Sequence, residues 1–260
     1  MWNNHKALNL LANLILTGAV LSVAYFLVVS MIKLPLFDLK EIIIESVNNA
    51  DQSDKLALQH TNRQQIERVV GDAVIGNFFT VDLNRVKDAF QELPWVRVAK
   101  VQRNWPLGIK VILEEHTALA YWGDTALVNF HGEIFRAPSD KVLPVFRGPT
   151  GESAALIAEQ YKIMNRTLSP INQHVAEISL SPRYAWFIRL DNGTLLKLGR
   201  KKIKSRLERY ILVYKNNIVN LNQSIPLDYV DLRYPSGFAV RMDEVIPTSA
   251  SPKPISRRKS

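Results

Sequence analysis

The 260-residue sequence contains no cysteine. Disulfide bonds, thiol catalysis and zinc sites built on thiolates are therefore excluded. Its five histidines show no H-E-x-x-H or other ligand spacing, and the chain has neither a G-x-S-x-G sequence nor a phosphate-binding glycine loop. The sequence consequently predicts no catalytic residue, no metal site, no cofactor and no enzymatic activity.

Two short patterns resemble catalytic motifs but lack the context that catalysis needs. Ser30–Lys33 matches the S-x-x-K pattern of penicillin-interacting enzymes, yet it lies at the end of an apolar segment and no K-T-G follows it. Glu114, Glu115 and His116 are consecutive on a predicted strand, where neighbouring side chains point to opposite faces. We interpret both patterns as coincidental.

Acidic residues are comparatively few, because 24 Asp and Glu face 33 Lys and Arg and give a net charge of +9. A basic surface can bind nucleic acid, anionic lipid or an acidic protein, and the charge excess alone does not distinguish these partners. One predicted helix carries the strongest basic patch, formed by Arg200, Lys201, Lys202, Lys204, Arg206 and Arg209. A membrane-bound nucleic-acid-binding regulator is therefore one alternative, although a solvated basic face is the favoured interpretation of this helix.

One long segment near the amino terminus has no charged residue. It runs from Ala7 to Ile32 and would reach about 39 Å as a helix, against a bilayer hydrocarbon core of about 30 Å. A cleaved signal peptide is the alternative, with Ser22 and Ala24 at the cleavage site, but the apolar run continues beyond that site. The segment 7–32 is therefore predicted to be a transmembrane helix, whose orientation the nearly balanced flanking charges do not decide.

The next 80 or so residues are predicted to fold in the order β-α-α-β-β. A β-branched strand spans Leu39–Ser46, and a polar loop leads to a helix whose capping box is Thr61 and Gln64. Asp82 caps a second helix. Two strands follow, Val96–Trp105 with a bulge near Val98, and Ile109 to about Trp122. Trp95 and Trp105 are expected in the core.

Beyond about residue 119 the pattern changes to many short strands interrupted by two helices. Hairpins are predicted within Leu127–Phe135 and Trp186–Leu198. The final strand pair is predicted to span Leu227–Tyr234 and Phe238–Met242. From residue 243 onward Pro, Ser, Lys and Arg dominate without apolar periodicity, which indicates a flexible tail.

Several short segments resemble landmarks of the FtsQ/DivIB family of bacterial cell division proteins. They resemble that family's LPW(I/V), V-R-x-x-W-P and YVDLRY-x-SG sequences, and they occur in the same order along the chain. The segments are Leu93–Val96, Val101–Pro106, Val142–Pro144, Leu198–Arg200 and Tyr229–Gly237. The β-α-α-β-β module before them resembles a POTRA domain, which envelope proteins use to hold partner polypeptides.

The resemblance implies an α+β, non-enzymatic, single-pass type II protein of the bacterial inner membrane at the division septum, with its bulk in the periplasm. The expected divisions are a cytoplasmic stub (1–6), a transmembrane helix (7–32), a POTRA domain (35–119), a partner-binding β domain (120–242) and a flexible tail (243–260). Two departures from the family pattern are the short stub and Met242, which stands where relatives carry an aromatic residue. Another membrane-anchored POTRA protein of envelope assembly remains an alternative.

The resemblance also implies partners and a binding site. FtsB and FtsL are the expected partners, FtsK, FtsW and FtsI are further candidates, and the complex controls septal peptidoglycan synthesis. The expected partner-binding residues are Tyr229, Arg233, Tyr234, Ser236 and Gly237, with Arg183 as a weaker candidate. Val101 and Arg103 of the POTRA segment are expected to serve recruitment to the division site.

We expect the partner to add as a strand to an exposed sheet edge. In the run Leu227–Tyr234, alternation places Val230 and Leu232 on one face and Tyr229, Asp231 and Arg233 on the other. The second face would meet the partner, since Tyr and Arg are frequent interface hot spots. Without the family resemblance, residue chemistry favours the alternative in which Tyr229 and Tyr234 fill the core and Arg233 is solvated.

Overall fold

The computed structural model describes residues 5–32, 34–47, 58–215, 227–235 and 237–242. Most of the polar loop after the first strand, Ser236 and the predicted tail lie outside the described residues. The chain divides into two compact units, residues 1–116 and 117–260. The sequence prediction placed this division between residues 119 and 120.

The amino-terminal helix α1 spans His5–Ile32. Its segment Asn9–Ile32 has a mean hydropathy of 2.3 over 24 residues, which is long and apolar enough to cross a membrane. The hydroxyls of Thr17 and Ser22 donate to the carbonyls of Asn13 and Gly18 one turn earlier, so both are satisfied within the helix.

The rest of the first unit has the predicted order β-α-α-β-β. Its elements are β1 Glu41–Ser46, α2 Arg63–Ala73, α3 Leu83–Gln91, β2 Val96–Asn104 and β3 Gly108–Glu115. The sheet order is β1-β3-β2, with β1 parallel to β3 and β2 antiparallel to it. The predicted bulge is present as a register shift between Val96 and Val98. A core of α3 and sheet residues is completely buried, and includes Val86, Phe90, Ile109, Val111 and Leu113.

The helix caps of the first unit confirm one prediction and correct another. The Asp82 carboxylate accepts from the backbone of Asn84 and Arg85 and begins α3 as predicted. The capping box of α2 is formed by Asn62 and Gln65, so the Thr61 and Gln64 assignment is wrong by one residue. The Thr61 hydroxyl instead donates to the buried Glu115 carboxylate at 2.7 Å, which ties the helix entrance to the end of β3.

Two further predictions for this region are wrong. The strand expected from Ile109 to about Trp122 ends at Glu115, because the chain leaves the first sheet there and enters the sheet of the second unit at Ala118. Trp95 is 7% exposed and lies in the core as expected, but Trp105 is 83% exposed. Trp105 follows the last residue of β2, so it projects from the tip of the β2–β3 hairpin.

The described residues of the second unit form one nine-stranded sheet and two α-helices. Its elements are β4 Ala118–Trp122, β5 Ala126–Asn129, β6 Ile134–Phe135, β7 Val145–Arg147, α4 Ser153–Leu168, β8 Val175–Leu180, β9 Trp186–Leu190, β10 Leu195–Gly199, α5 Ile203–Val213, β11 Leu227–Asp231 and β12 Ala239–Met242. The strand order is β12-β11-β10-β9-β8-β7-β4-β5-β6. Both predicted hairpins and the final strand pair are confirmed.

The core of the second unit lies between its sheet and its helices. Fully buried side chains of α4 and α5, including Ile157, Met164 and Tyr210, pack with sheet residues such as Ile188 and Val230. The alternation of buried and exposed positions in β8 and β9 matches a sheet that is covered on one face. The predicted partner-binding residues lie in strands β9 to β12 or in the turns beside them.

Candidate partner-binding site

Four strands place most of the predicted binding residues at one corner of the large sheet. Trp186 at the start of β9 pairs with Gly199 at the end of β10, and Asp231 at the end of β11 pairs with Ala239 at the start of β12. The turn that carries Arg183 therefore lies at the same sheet end as the segment 232–235, two strand spacings or about 10 Å away. We call this region the sheet corner.

The outermost described strand at this corner is β12 and not the run that carries the predicted site. β11 is hydrogen-bonded on both sides, to β10 in parallel and to β12 in antiparallel orientation. Among the described residues, β12 pairs with β11 alone. A partner strand that adds to this border would therefore contact β12 first, with the predicted residues of β11 one strand further in.

Arg233 and Asp231 form a close ion pair within the site. The Arg233 Nε lies 2.9 and 3.0 Å from the two carboxylate oxygens of Asp231, and one terminal nitrogen lies 2.6 Å from Oδ2. The Asp231 side chain is 7% exposed and the Arg233 side chain 57% exposed. The hydrogen bonds from Arg233 hold the pKa of Asp231 below its usual range, and the pKa of Arg233 is raised by the same contact.

This pair corrects the predicted division of faces in β11. Val230 and Leu232 are completely buried, as alternation predicted. Asp231 is also buried, because the Arg233 side chain folds back over it. Only Tyr229 and Arg233 of the three expected outward residues therefore remain accessible to a partner.

The two tyrosines of the predicted site do not fill the core. Tyr234 is 54% exposed beyond the end of β11. Tyr229 is half-buried, and the ammonium of Lys197 lies 3.7 Å from its ring centroid, which is a cation–π contact. Arg183 is exposed, and Gly237 follows Ser236 on the way to β12, but Ser236 itself lies outside the described residues.

Two arginines of α5 hold the backbone of the segment 232–235. Arg206 donates to the carbonyls of Leu198 and Arg233, and Arg209 donates to those of Leu232, Tyr234 and Pro235 at 2.6 to 3.2 Å. Four consecutive carbonyls are thus bound by guanidinium groups. We call Arg206 and Arg209 the α5 arginine pair.

Sequence reasoning missed this role, because both residues belong to the basic run that was interpreted as solvated. Their spacing of three places them on one side of the helix, next to buried Leu207 and Tyr210. Their position beside the apolar stripe of α5 was the one sequence feature that could have indicated this role. The remaining members of the run, Arg200, Lys201, Lys202 and Lys204, are exposed.

Gly199 provides the space in which this arrangement forms. Its φ of +72° suits glycine, and a Cβ at this position would lie 2.7 Å from Nη1 of Arg206 and 3.2 Å from Cγ of Arg233. Either contact would displace an arginine. The glycine of the Leu198–Arg200 landmark therefore accommodates both side chains.

The predicted recruitment residues lie in the first unit. Val101 is half-buried on β2, which forms one border of the three-stranded sheet. Arg103 donates to the carbonyls of Phe78, Phe79 and Val81 at 2.9 to 3.3 Å, so its guanidinium binds the connection between α2 and α3. In the described part of the chain, no three His, Asp or Glu side chains gather as a metal site would require.

Comparison with known proteins identifies relatives from one protein family along nearly the whole chain. Residues 120–233 match the family described as cell division protein FtsQ/DivIB, C-terminal, and residues 57–116 match the FtsQ-type POTRA domain. The protein named cell division protein FtsQ of Nitrosospira multiformis is 47% identical over 241 residues, which cover 93% of this chain and 99% of that protein. The protein of the same name from Burkholderia pseudomallei is 36% identical, and the match covers 93% of this chain and 94% of that protein. The one from Bordetella pertussis is 34% identical, and the match covers 99% of this chain and 100% of that protein.

Proposed function

The chain belongs to the FtsQ/DivIB family of cell division proteins, and from this premise we propose that it is a non-enzymatic scaffold of the division septum. It binds FtsB and FtsL through its periplasmic units and links early division proteins to late ones, among them FtsK, FtsW and FtsI. By holding these partners together it controls septal peptidoglycan synthesis. Helix α1 anchors it in the inner membrane as a type II protein, with both units in the periplasm.

The position of β12 as the outermost described strand at this end of the sheet is the observation that supports this function most directly. An edge strand presents unpaired N–H and C=O groups, so an extended FtsB segment can add along Ala239–Met242 and continue the sheet. Backbone hydrogen bonds then supply affinity. Side chains that stand beside the border supply selectivity.

The selective contacts come from the exposed side chains of the corner. Tyr234 offers an aromatic surface, and the Arg233 side chain remains 57% exposed while it binds Asp231. A carboxylate of the partner can share the Arg233 guanidinium, which has five donors. Arg183, at the same sheet end, offers a second cation for an acidic residue of the partner.

The ion pair makes Arg233→Glu an unsuitable test of binding. That change would place a second carboxylate beside the buried Asp231 and would destabilise the corner whether or not a partner binds there. Substitution on the border strand itself avoids this problem. Val240 is exposed on β12 and is not one of the buried core residues of the unit, which makes it the better position.

We expect Val240→Lys to weaken binding of the FtsB–FtsL complex to the full chain in nanodiscs by about tenfold, because a charged edge side chain opposes strand addition. Val142→Lys is the matched control, since Val142 is fully exposed in a loop of the same unit outside every strand. Biolayer interferometry measures both affinities. Equal affinity of wild type and Val240→Lys would remove β12 from the interface, and absence of binding to the wild-type chain would reject the partner.

For recruitment we propose the β2 border of the first unit, where Val101 is half-buried against the core and Arg103 is already bound to backbone carbonyls. A chain that lacks residues 39–116, and so keeps all of β4, should therefore fail to reach the septum. A fluorescent fusion measures this in dividing cells. Septal localisation of the truncated chain would show that recruitment depends on other segments.

A further inference from the structure

The first unit exposes several large apolar side chains near the end of α1. Trp105, at the tip of the β2–β3 hairpin, is the most exposed of them. The others lie directly after α1 or in the connection between α2 and α3, and they are Leu34, Leu36, Ile75 and Phe79. Single exposed apolar residues are ordinary, but a group that includes tryptophan and phenylalanine marks an interaction surface.

Hydrogen bonds and ring contacts bring these residues to the same end of the unit. The Asn77 side chain donates to the carbonyl of Ile32, the last residue of α1. The backbone of Phe78 donates to the Phe37 carbonyl at 2.9 Å, and the rings of Phe37 and Phe79 meet edge to face with centroids 5.2 Å apart. The connection between α2 and α3 is therefore fastened to the end of the helix.

The tip of the β2–β3 hairpin is hydrogen-bonded to the same connection between α2 and α3. Arg103, two residues before Trp105, donates to the carbonyls of Phe78 and Phe79. On the other side of the tip, the Leu107 carbonyl accepts from the backbone of Lys40 at 2.9 Å. The hairpin that carries Trp105 thus lies beside the segment through which the chain leaves α1.

We propose that this apolar rim, formed by Leu36, Ile75, Phe79 and Trp105, inserts into the headgroup region of the membrane that α1 spans. The carbonyl of Ile32 marks the end of the spanning helix, so residues bonded to this point lie at the level of the lipid headgroups. Tryptophan and phenylalanine side chains are favoured at that level, where an apolar body meets a polar boundary.

The charges beside the rim are mixed. Lys40 is exposed next to the hairpin tip and would be attracted by anionic headgroups, whereas Asp38 and Glu41 are also exposed and would be repelled by them. The proposal therefore rests on the apolar side chains of the rim. Seating of the rim fixes the first unit against the membrane surface, so that its sheet borders keep a constant direction relative to the bilayer.

The absence of cysteine allows a direct test by site-directed spin labelling of the full chain in nanodiscs of phosphatidylethanolamine and phosphatidylglycerol. Trp105→Cys carries the label in the rim. Arg63→Cys is the control, because Arg63 is exposed at the start of α2, about 15 Å of helix away from the end near Ile75. Collision rates with oxygen, which concentrates in lipid, and with a water-soluble nickel chelate report the surroundings of each label.

We expect the label at position 105 to be rich in oxygen collisions and poor in nickel collisions, and the label at position 63 to show the reverse. Equal nickel accessibility at the two positions would overturn the proposal. Protection of position 105 that appears only after FtsB–FtsL or another envelope protein is added would also overturn it, since the occupant would then be a protein.

A second measurement needs no label and does not depend on folding of the cysteine variant. Lipids with brominated acyl chains quench tryptophan fluorescence on contact, and the remaining tryptophans contribute equally to wild type and Trp105→Phe. The quenched fraction should therefore fall in Trp105→Phe, which keeps an apolar ring in the rim. An unchanged quenched fraction would place Trp105 in water and overturn the proposal.

Discussion

In each unit, arginine side chains donate hydrogen bonds to the carbonyls of an irregular backbone segment, but the structural consequence differs between the units. In the first unit Arg103 binds the carbonyls of Phe78, Phe79 and Val81. In the second unit the α5 arginine pair binds the carbonyls of residues 232–235. Guanidinium groups suit this task because they present five donors in a rigid plane.

The direction of the fastened side chains distinguishes the two cases. Of the residues bound by Arg103, Phe78 and Val81 are buried and Phe79 is 50% exposed, so Arg103 mainly closes the core of its own unit. Of those bound by the α5 arginine pair, Leu232 is buried, whereas Arg233 and Tyr234 are exposed. Similar hydrogen bonds therefore mainly stabilise the core in the first unit and hold the proposed binding surface in the second.

The largest effect on stability should come from the first unit. Arg103→Ala removes three hydrogen bonds to carbonyls of a core segment and should lower the free energy of unfolding by about 2 kcal/mol. Arg63→Ala is the control, because its exposed pair with Glu67 should contribute less than about 0.5 kcal/mol. Urea unfolding of the full chain, with hydrogen exchange at residues 78–81, measures both. Equal losses in the two variants would contradict the role of Arg103.

The second unit should respond mainly in binding. Arg209→Ala frees three carbonyls of the presented segment and should weaken FtsB binding about tenfold, while the urea midpoint changes less than in Arg103→Ala. Lys204→Ala removes an equal charge from the exposed side of the same helix and should leave affinity unchanged. If Arg209→Ala lowered stability as much as Arg103→Ala and kept full affinity, the contrast between the units would be lost.

The smallest expected effect concerns the pH dependence of the corner. Arg233 lowers the pKa of Asp231, so the stability from this pair is fully present above the ordinary aspartate pKa of about 3.9 and is lost as the pH falls through the lower folded value. In Arg233→Ala the Asp231 carboxyl should titrate at higher pH. Carboxyl NMR follows this shift, and Arg241→Ala, which alters the exposed pair with Asp228, should leave the Asp231 titration unchanged.

Local patterns predicted most of the elements. Helical periodicity predicted α3, α4 and α5, and turn residues such as Asp191–Gly193 predicted the hairpin of β9 and β10. The errors lie where a distant partner decides between local options. Thr61 serves Glu115 in place of a capping box, and the chain leaves the first sheet after Glu115 although the apolar pattern continues.

Local patterns were sufficient to predict the apolar amino-terminal helix, the β-α-α-β-β module and the alternating strands of the second unit, because each of these depends on spacing between near neighbours. Tertiary contacts were needed to show that β12 is the outermost described strand, that Asp231 is buried under Arg233 and that Trp105 is exposed. They were also needed to show which arginines bind carbonyls more than twenty residues away. A carbonyl is present at every residue and carries no sequence signal, so the bond between it and a distant guanidinium exists only once the chain has folded.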